Sequence, residues 1–340
     1  MLWDEQVILM SGAGYNDNVL LSAFHPRGSA YFANGVEALA QRVPLDGWQI
    51  VGSVIGSDTR YWRNVGASSE DSLLGSLRVE RSLPAGWKAG LEARGIYENQ
   101  VLDISTSLGA PATALVKGFG VTAQPSLRKD WDAGRWLKLE LPVTRWNFQT
   151  PLDNYWEYGP VLTAGWDASH RTQFTLSYGA TLAPHDQWLA LSASYMPLPQ
   201  KLTTLQHRAE LAWHQYWDVR KRWRSGTRLV FAAKRDNGGG WFDYNQYQII
   251  EDLRWQTADW QVSGSAQWAY EDYPVQGVGI LNGQTLHREL LNLTLDAERR
   301  LFKGLKCFAK LEFQRANSNE AAQAGDYSGT SAGGGLRYEF

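Results

Sequence analysis

Arg222, Arg224, Arg228 and Lys234 are separated by even numbers of positions. On an extended strand, even spacing places side chains on one face. The four therefore read as a basic ladder, with Arg208 turned the same way on the preceding strand. Acids of like orientation gather elsewhere, Glu80, Glu92 and Glu98 early in the chain and Asp296, Glu298 and Glu312 late. Unlike walls facing each other across water would set up a transverse field that orients polar solutes or favours anions. The plainer alternative pairs each charge with a neighbour, Arg208 with Glu210 for example, and leaves little net field. Other chemistry is poorly supplied. Ser169-His170 falls in a turn, and His207, expected to face outward, has no serine beside it, so a Ser–His pair held by a third group is not formed. Six scattered His offer no ligand spacing for a metal. Gly118-Phe119-Gly120 sits mid-strand with no helix after it, unlike a phosphate loop, and Asn292-Leu293-Thr294 is a chance sequon. No enzymatic activity, cofactor or metal is expected.

Such a ladder needs strands to hold it, and composition admits few other scaffolds. The 33 basic and 35 acidic residues give net −2, which excludes polyanion, and hence nucleic-acid, binding by bulk charge. Apolar runs such as 7–10 and 229–233 are short, far below the roughly 20 residues of a membrane helix. Alternating strands, by contrast, cross a bilayer at near-neutral hydropathy. The 17 Trp and 15 Tyr, against one Cys (Cys307) and three Met, suit a protein with two water–lipid interfaces and exclude an intrachain disulfide.

Short Gly-, Asp- or Pro-containing connections recur at 44–47, 84–86, 132–134, 167–170, 218–221, 257–259 and 303–304. They alternate with longer polar stretches near 16–28, 64–70, 102–114, 150–154, 184–202, 236–240, 274–285 and 318–329. This predicts about 16 antiparallel strands with both chain ends on the short-turn side. Trp48, Trp87, Trp131, Trp136, Trp166, Trp217, Trp223, Trp255 and Trp260 cluster at the short turns, as an aromatic girdle would. Tyr61, Trp62, Trp146, Trp156, Trp241 and Tyr273 are assigned to the opposite ring. Between the turns apolar and polar residues alternate: Leu305, Cys307, Ala309, Leu311 and Phe313 oppose Lys306, Lys310, Glu312 and Gln314. The apolar face is read as outward and the polar face as lumenal. Tyr31–Arg42 shows no clean alternation. Glu251 falls on the lipid side, marking either a subunit contact or a register-shifting bulge.

The chain ends Gly333-Gly334-Gly335-Leu336-Arg337-Tyr338-Glu339-Phe340. With Gly335, Tyr338 and the terminal Phe340, this run resembles the closing strand of bacterial outer-membrane β-barrels, which the assembly machinery reads before it pairs with the first strand. Gly12-Ala13-Gly14-Tyr15-Asn16-Asp17-Asn18-Val19 resembles the Gly-Tyr-x-x-Asn-Val first strand of a broad group of porin-like barrels. Some members follow periplasmic repeat segments, and several are associated with polysaccharide or protein export. The resemblance implies a bacterial outer-membrane location, contact with lipid and lipopolysaccharide, and a homo-oligomer or a periplasmic partner as open possibilities. General porins of the same strand number fold their third external loop inward as an acidic constriction. The equivalent stretch here, Leu102 to Ala114, holds one acid, Asp103, so that constriction is not expected.

The expectation is an all-β, transmembrane, up-and-down antiparallel barrel occupying 1–340 as one domain. Met1-Leu2-Trp3-Asp4-Glu5-Gln6 lacks the features of a signal peptide, so one is expected to have preceded it, with or without a periplasmic segment. A barrel this wide keeps an aqueous lumen, and a channel for small hydrophilic solutes follows. The alternatives are an export channel fed by a periplasmic partner and a non-conducting scaffold. Pro184 to Leu202, with Trp188, Tyr195 and Met196, is too apolar for a free loop and is the candidate gate; Pro274 to Thr285 is the weaker one.

Overall fold

The computed structural model describes residues 3–44, 46–131, 134–149, 151–278, 284–320 and 325–340. The expected connections at 44–47, 132–134, 150–154, 274–285 and 318–329 each extend in part outside them, as does Met1.

Strand makes up 77% of the chain. The segments are β1 (Trp3–Asn16), β2 (Ser29–Arg42), β3 (Trp48–Tyr61), β4 (Ser69–Leu83), β5 (Trp87–Asp103) and β6 (Thr113–Asp130). Next come β7 (Arg135–Glu140), β8 (Val143–Phe148), β9 (Tyr155–Tyr158), β10 (Val161–Ser169), β11 (Thr172–Leu191) and β12 (Pro197–Tyr216). The last are β13 (Trp223–Asp236), β14 (Tyr244–Gln256), β15 (Trp260–Val278), β16 (Gln284–Phe302), β17 (Leu305–Ser318) and β18 (Tyr327–Glu339). Each pairs antiparallel with its neighbours, and β1 closes on β18. β7 with β8, and β9 with β10, are two halves of single wall strands. Pro142 and Pro160 have no N–H to give the ladder, so the pairing is interrupted there. The register does not slip: Ser126 faces Glu140 and Ala123 faces Val143 across the break. The result is a closed 16-strand antiparallel barrel, as the turn alternation predicts. No helix among the described residues is long and apolar enough to cross a membrane.

Period two sorts the wall. Leu211, Leu229, Ile249, Leu253 and Leu295 are exposed on the outer surface, while Lys310, Arg337 and Arg228 face inward. At the seam, Leu9 faces Tyr338 and Gly12 faces Gly335. The Phe340 N–H donates to the Val7 carbonyl at 3.0 Å, and Phe340 packs edge-on against Tyr338 at 4.7 Å. Gly335 is inward, where a Cβ would strike the Ser11 carbonyl. The blurred pattern of 31–42 has a physical cause. β2 is regular, but its inner face carries Ala33 opposite Gly12 and Gly35 opposite Met10, so small residues replace the usual polar ones. Glu251 does face lipid, without a bulge: β14 keeps its register on both sides. Its carboxylate accepts a hydrogen bond from Thr227 Oγ1 at 2.6 Å.

The short-turn girdle is present at Trp48, Trp87, Trp131, Trp166, Trp217 and Trp223, all well exposed. Trp136 departs from it, since it pairs with inward Gly165 and covers the space a Cβ there would need. The opposite ring requires a larger correction. Trp62 and Trp156 are exposed, but Tyr61 bonds Glu70 inside the wall and Tyr273 is fully buried. Trp146 shares its face with Thr144 and is inward, and Trp241 lies in the connection between β13 and β14. Strand parity, rather than nearness to a loop, decides where these rings point.

Candidate functional site

The residues between β5 and β6 form the feature that organises the lumen. Ser105–Leu108 makes one helical turn, α1, ended by Gly109 in the left-handed conformation (φ 66°). The base of the loop is tied shut. Ile104 N donates to Ala112 O at 2.9 Å, and Ala112 N to Ser105 Oγ at 2.9 Å. Ser105 N in turn donates to Asp103 Oδ1 at 3.0 Å. The loop does not project from the rim; it enters the barrel and is held from three sides. Lys234 Nζ on β13 donates to Thr106 O at 3.1 Å. Thr113 Oγ1 donates to Leu20 O of the first long connection at 3.2 Å. Arg288 on β16 holds Asp103 through Nη2–Oδ2 at 2.7 Å.

In a ring of 16 strands, β5 and the β15–β16 pair are about half a circumference apart, so the Asp103–Arg288 pair ties opposite walls. Arg288 is 1% exposed, and its second partner is Glu271 at 3.5 Å. Glu271 also accepts from Tyr273 Oη and Gln246 Nε2, both at 3.0 Å, and Asp103 from Tyr327 Oη at 3.2 Å. One guanidinium between two carboxylates, with hydroxyls and an amide filling the remaining lone pairs, is the arrangement in which a buried charge is tolerated. Around it the rim is packed. Val19, Val65, Ala67 and Val101 form one apolar cluster, and Tyr244, Tyr273, Val278 and Leu286 another.

The strap, residues 104–112, leaves a space on each side. A chamber of about 620 Å3 lies toward β1–β5 and β16–β18, lined by Tyr31, Glu70, Asp103, Lys310, Glu312 and neighbours. A smaller one, about 170 Å3, lies toward β9 and β11–β14, lined by Thr106, Tyr155, Glu157, His185, Lys234 and neighbours.

The sequence-derived charges can now be placed. Arg208, Arg224, Arg228 and Lys234 are inward. Arg222 is not on the strand: it lies in the preceding turn, paired with Asp218 at 2.9 Å. There the Trp223 backbone N–H and the Arg222 guanidinium hold the Asp218 carboxyl below the usual carboxylate range. The six named acids face the lumen, most beside cations the ladder reading omitted. Glu92 pairs with Arg94 at 2.6 Å, Glu312 with Lys310 at 2.6 Å, and Glu298 with Arg337 at 2.9 Å. Glu80 sits 3.5 Å from Arg78. Arg208 pairs with Glu210 at 2.8 Å and Arg228 with Asp252 at 3.2 Å. Lys234 makes no ion pair among the described residues.

The stretch 184–202 is mostly strand, an extension of the β11–β12 hairpin, with a bulge between Pro184 and Leu189. Tyr195 and Met196 lie at its exposed tip, with Tyr195 against Trp241 at 4.7 Å between ring centres. Trp188 stacks on His185 at 5.3 Å and 6°. The segment that enters the lumen is 104–112 instead. The other loop expected to gate, 274–285, begins within β15, and residues 279–283 lie outside the described residues.

Sequence reasoning also missed the inward aromatics Trp146, Phe148, Tyr155 and His185, which neighbour one another across three strands. The available signal was their parity with Thr144 and Glu157. No cluster of His, Cys, Asp and Glu among the described residues could hold a metal.

No protein-family model matches the chain, and no curated protein is similar to it in sequence. Its backbone resembles solved outer-membrane barrels over nearly its whole length. OmpT, an outer membrane protein of Vibrio cholerae, superposes with TM-score 0.52 at 9% identity over 99% of this chain and 97% of that one. OprD from Pseudomonas aeruginosa gives 0.50 at 10% identity over 99% and 93%. Acinetobacter baumannii OccAB3 gives 0.50 at 8% identity over 99% and 98%. At these identities the likeness is one of fold, that of a porin-like outer-membrane barrel.

Proposed function

We propose that the chain is a bacterial outer-membrane channel for small hydrophilic solutes, with a lumen split by the 104–112 strap into a wide and a narrow path. The observation that carries this reading is the strap itself. It lies inside an apolar-coated cylinder whose inner wall is polar and charged, and it narrows the bore without filling it. Outward Leu, Ile, Phe and Trp suit hydrocarbon with an aromatic belt. Lipid and lipopolysaccharide are the surrounding medium in this reading. Paired charges along most of the inner wall predict weak ion selectivity.

Reconstitution into a planar bilayer tests the proposal: stable open steps in salt support it, and a baseline without steps contradicts it. The packed rim favours a second reading, in which the barrel is shut until a periplasmic partner opens it for export. Brief, flickering openings that lengthen when Arg288 is replaced would favour that one.

A further inference from the structure

The smaller chamber contains two charged groups, Lys234 and Glu157, that make no ion pair among the described residues. Lys234 Nζ reaches the Thr106 carbonyl and lies 5.8 Å over the Tyr244 ring, but no carboxylate comes within 4.0 Å of it among the described residues. Glu157 lines the same space and likewise has no cation within 4.0 Å among the described residues. Asp153, a third charged group there, is already committed: its Oδ2 accepts from the Gln187 and Trp188 N–H groups at 2.9 and 2.8 Å. The His185 side chain is 8% exposed, and its buried Nδ1 lies 3.7 Å from Asp153 Oδ2, beyond hydrogen-bond distance. Thr181 and Thr204 complete the lining with hydroxyls.

Charges left unpaired behind a hydrocarbon wall are costly, and direct pairing relieves most of the others in this lumen, though not Glu98 or Asp296 among the described residues. Here an ammonium and a carboxylate share one small chamber without meeting. The space of about 170 Å3 equals roughly six waters at ~30 Å3 each, enough for a molecule of amino-acid size. We propose that this chamber is a binding site for a small zwitterion of the α-amino-acid type, its carboxylate on Lys234 and its ammonium on Glu157. A neutral polyol would hydrogen-bond both groups but neutralise neither.

The inference deepens the channel reading and rests on it for access of the solute. Binding is therefore measured without conductance, so that either can fail alone. Saturation-transfer NMR on the folded barrel in detergent would use L-leucine, 4-methylpentanoate (no ammonium), 3-methylbutylammonium (no carboxylate) and D-glucose as probes. Leucine should bind at least tenfold more tightly than either single-charge analogue or glucose. Lys234→Met and Glu157→Gln, each shown folded by its electrophoretic shift, should weaken leucine at least tenfold, whereas Lys310→Met in the other chamber should leave it unchanged. Glucose binding as tightly as leucine, insensitivity to both substitutions, or no transfer from any probe would each overturn the assignment.

Discussion

The two sides of the strap settle their charges in opposite ways. Toward β1–β5 and β16–β18, Lys310 meets Glu312 at 2.6 Å, and Arg337 bridges Glu37 and Glu298 at 2.8 and 2.9 Å. That wall is also roomy, because Gly12, Gly14, Gly333 and Gly335 form its inner face at the seam, with the Tyr31 and Phe308 rings over them. Toward β9 and β11–β14 the wall is aromatic, and Lys234 and Glu157 stay apart. A side whose charges are mostly neutralised in pairs, Asp296 being an exception among the described residues, presents a wet, weakly selective path. A side with separated charges and little room is poised to hold something. The strap creates the contrast by keeping the two environments distinct.

Removing the clamp should have the largest effect. Arg288→Met would strand Asp103 and Glu271, and breaking a buried pair by deleting one partner typically costs about 3–5 kcal/mol. Urea unfolding of the barrel in lipid vesicles measures this, and a loss below about 1 kcal/mol would show that Arg288 clamps nothing. At the seam, Gly335→Val forces a Cβ against the Ser11 carbonyl and should cost about 1–3 kcal/mol. Outward Gly95, with nothing within 4 Å of its Cβ position, should accept Val nearly without cost in the same assay.

The contrast between chambers predicts opposite signs for two lysines. Lys310→Met leaves Glu312 unpaired and should destabilise by about 0.5 kcal/mol, because both groups are substantially exposed. Lys234→Met removes an uncompensated cation and should be neutral or slightly stabilising. If both destabilise equally, the chambers do not differ as described. The smallest effect is expected from the basic ladder. Because Arg228 already faces Asp252 at 3.2 Å, Arg228→Glu should change the anion-to-cation permeability ratio by no more than about twofold, read from reversal potentials under a salt gradient.

Much of the wall is legible in the sequence because its physics is local. Leu305 to Gln314 declares its outward and inward faces by period two, and Lys303-Gly304 declares the turn before it, with Gly304 left-handed (φ 77°). The strand number follows from alternating short and long connections, and Pro142 and Pro160 interrupt the ladder without changing it. The interior is less legible because its partners are remote. Asp103 and Arg288 are 185 positions apart, and nothing in Ser105-Thr106-Ser107-Leu108 announces that it will enter the lumen. Hydrophobicity pointed to 184–202, whose apolar residues in fact extend a hairpin and pack on Trp241 and Phe242. Trp146 and Tyr273 were sent to the rim by their nearness to loops, though strand parity turns Trp146 inward. Even spacing alone puts Arg222 on the strand, but its bond to Asp218 keeps it in the turn, which ends one residue before β13 begins at Trp223.

The strap's position as a divider of the lumen is tested most directly by excising residues 105–111, joining the ends with a short Gly-Ser linker, and recording single-channel conductance beside the intact barrel. Open steps at least about twice as large are expected, since the two paths merge into one bore. Steps of unchanged size would mean that the strap does not limit the lumen, and the division into two chambers would be wrong.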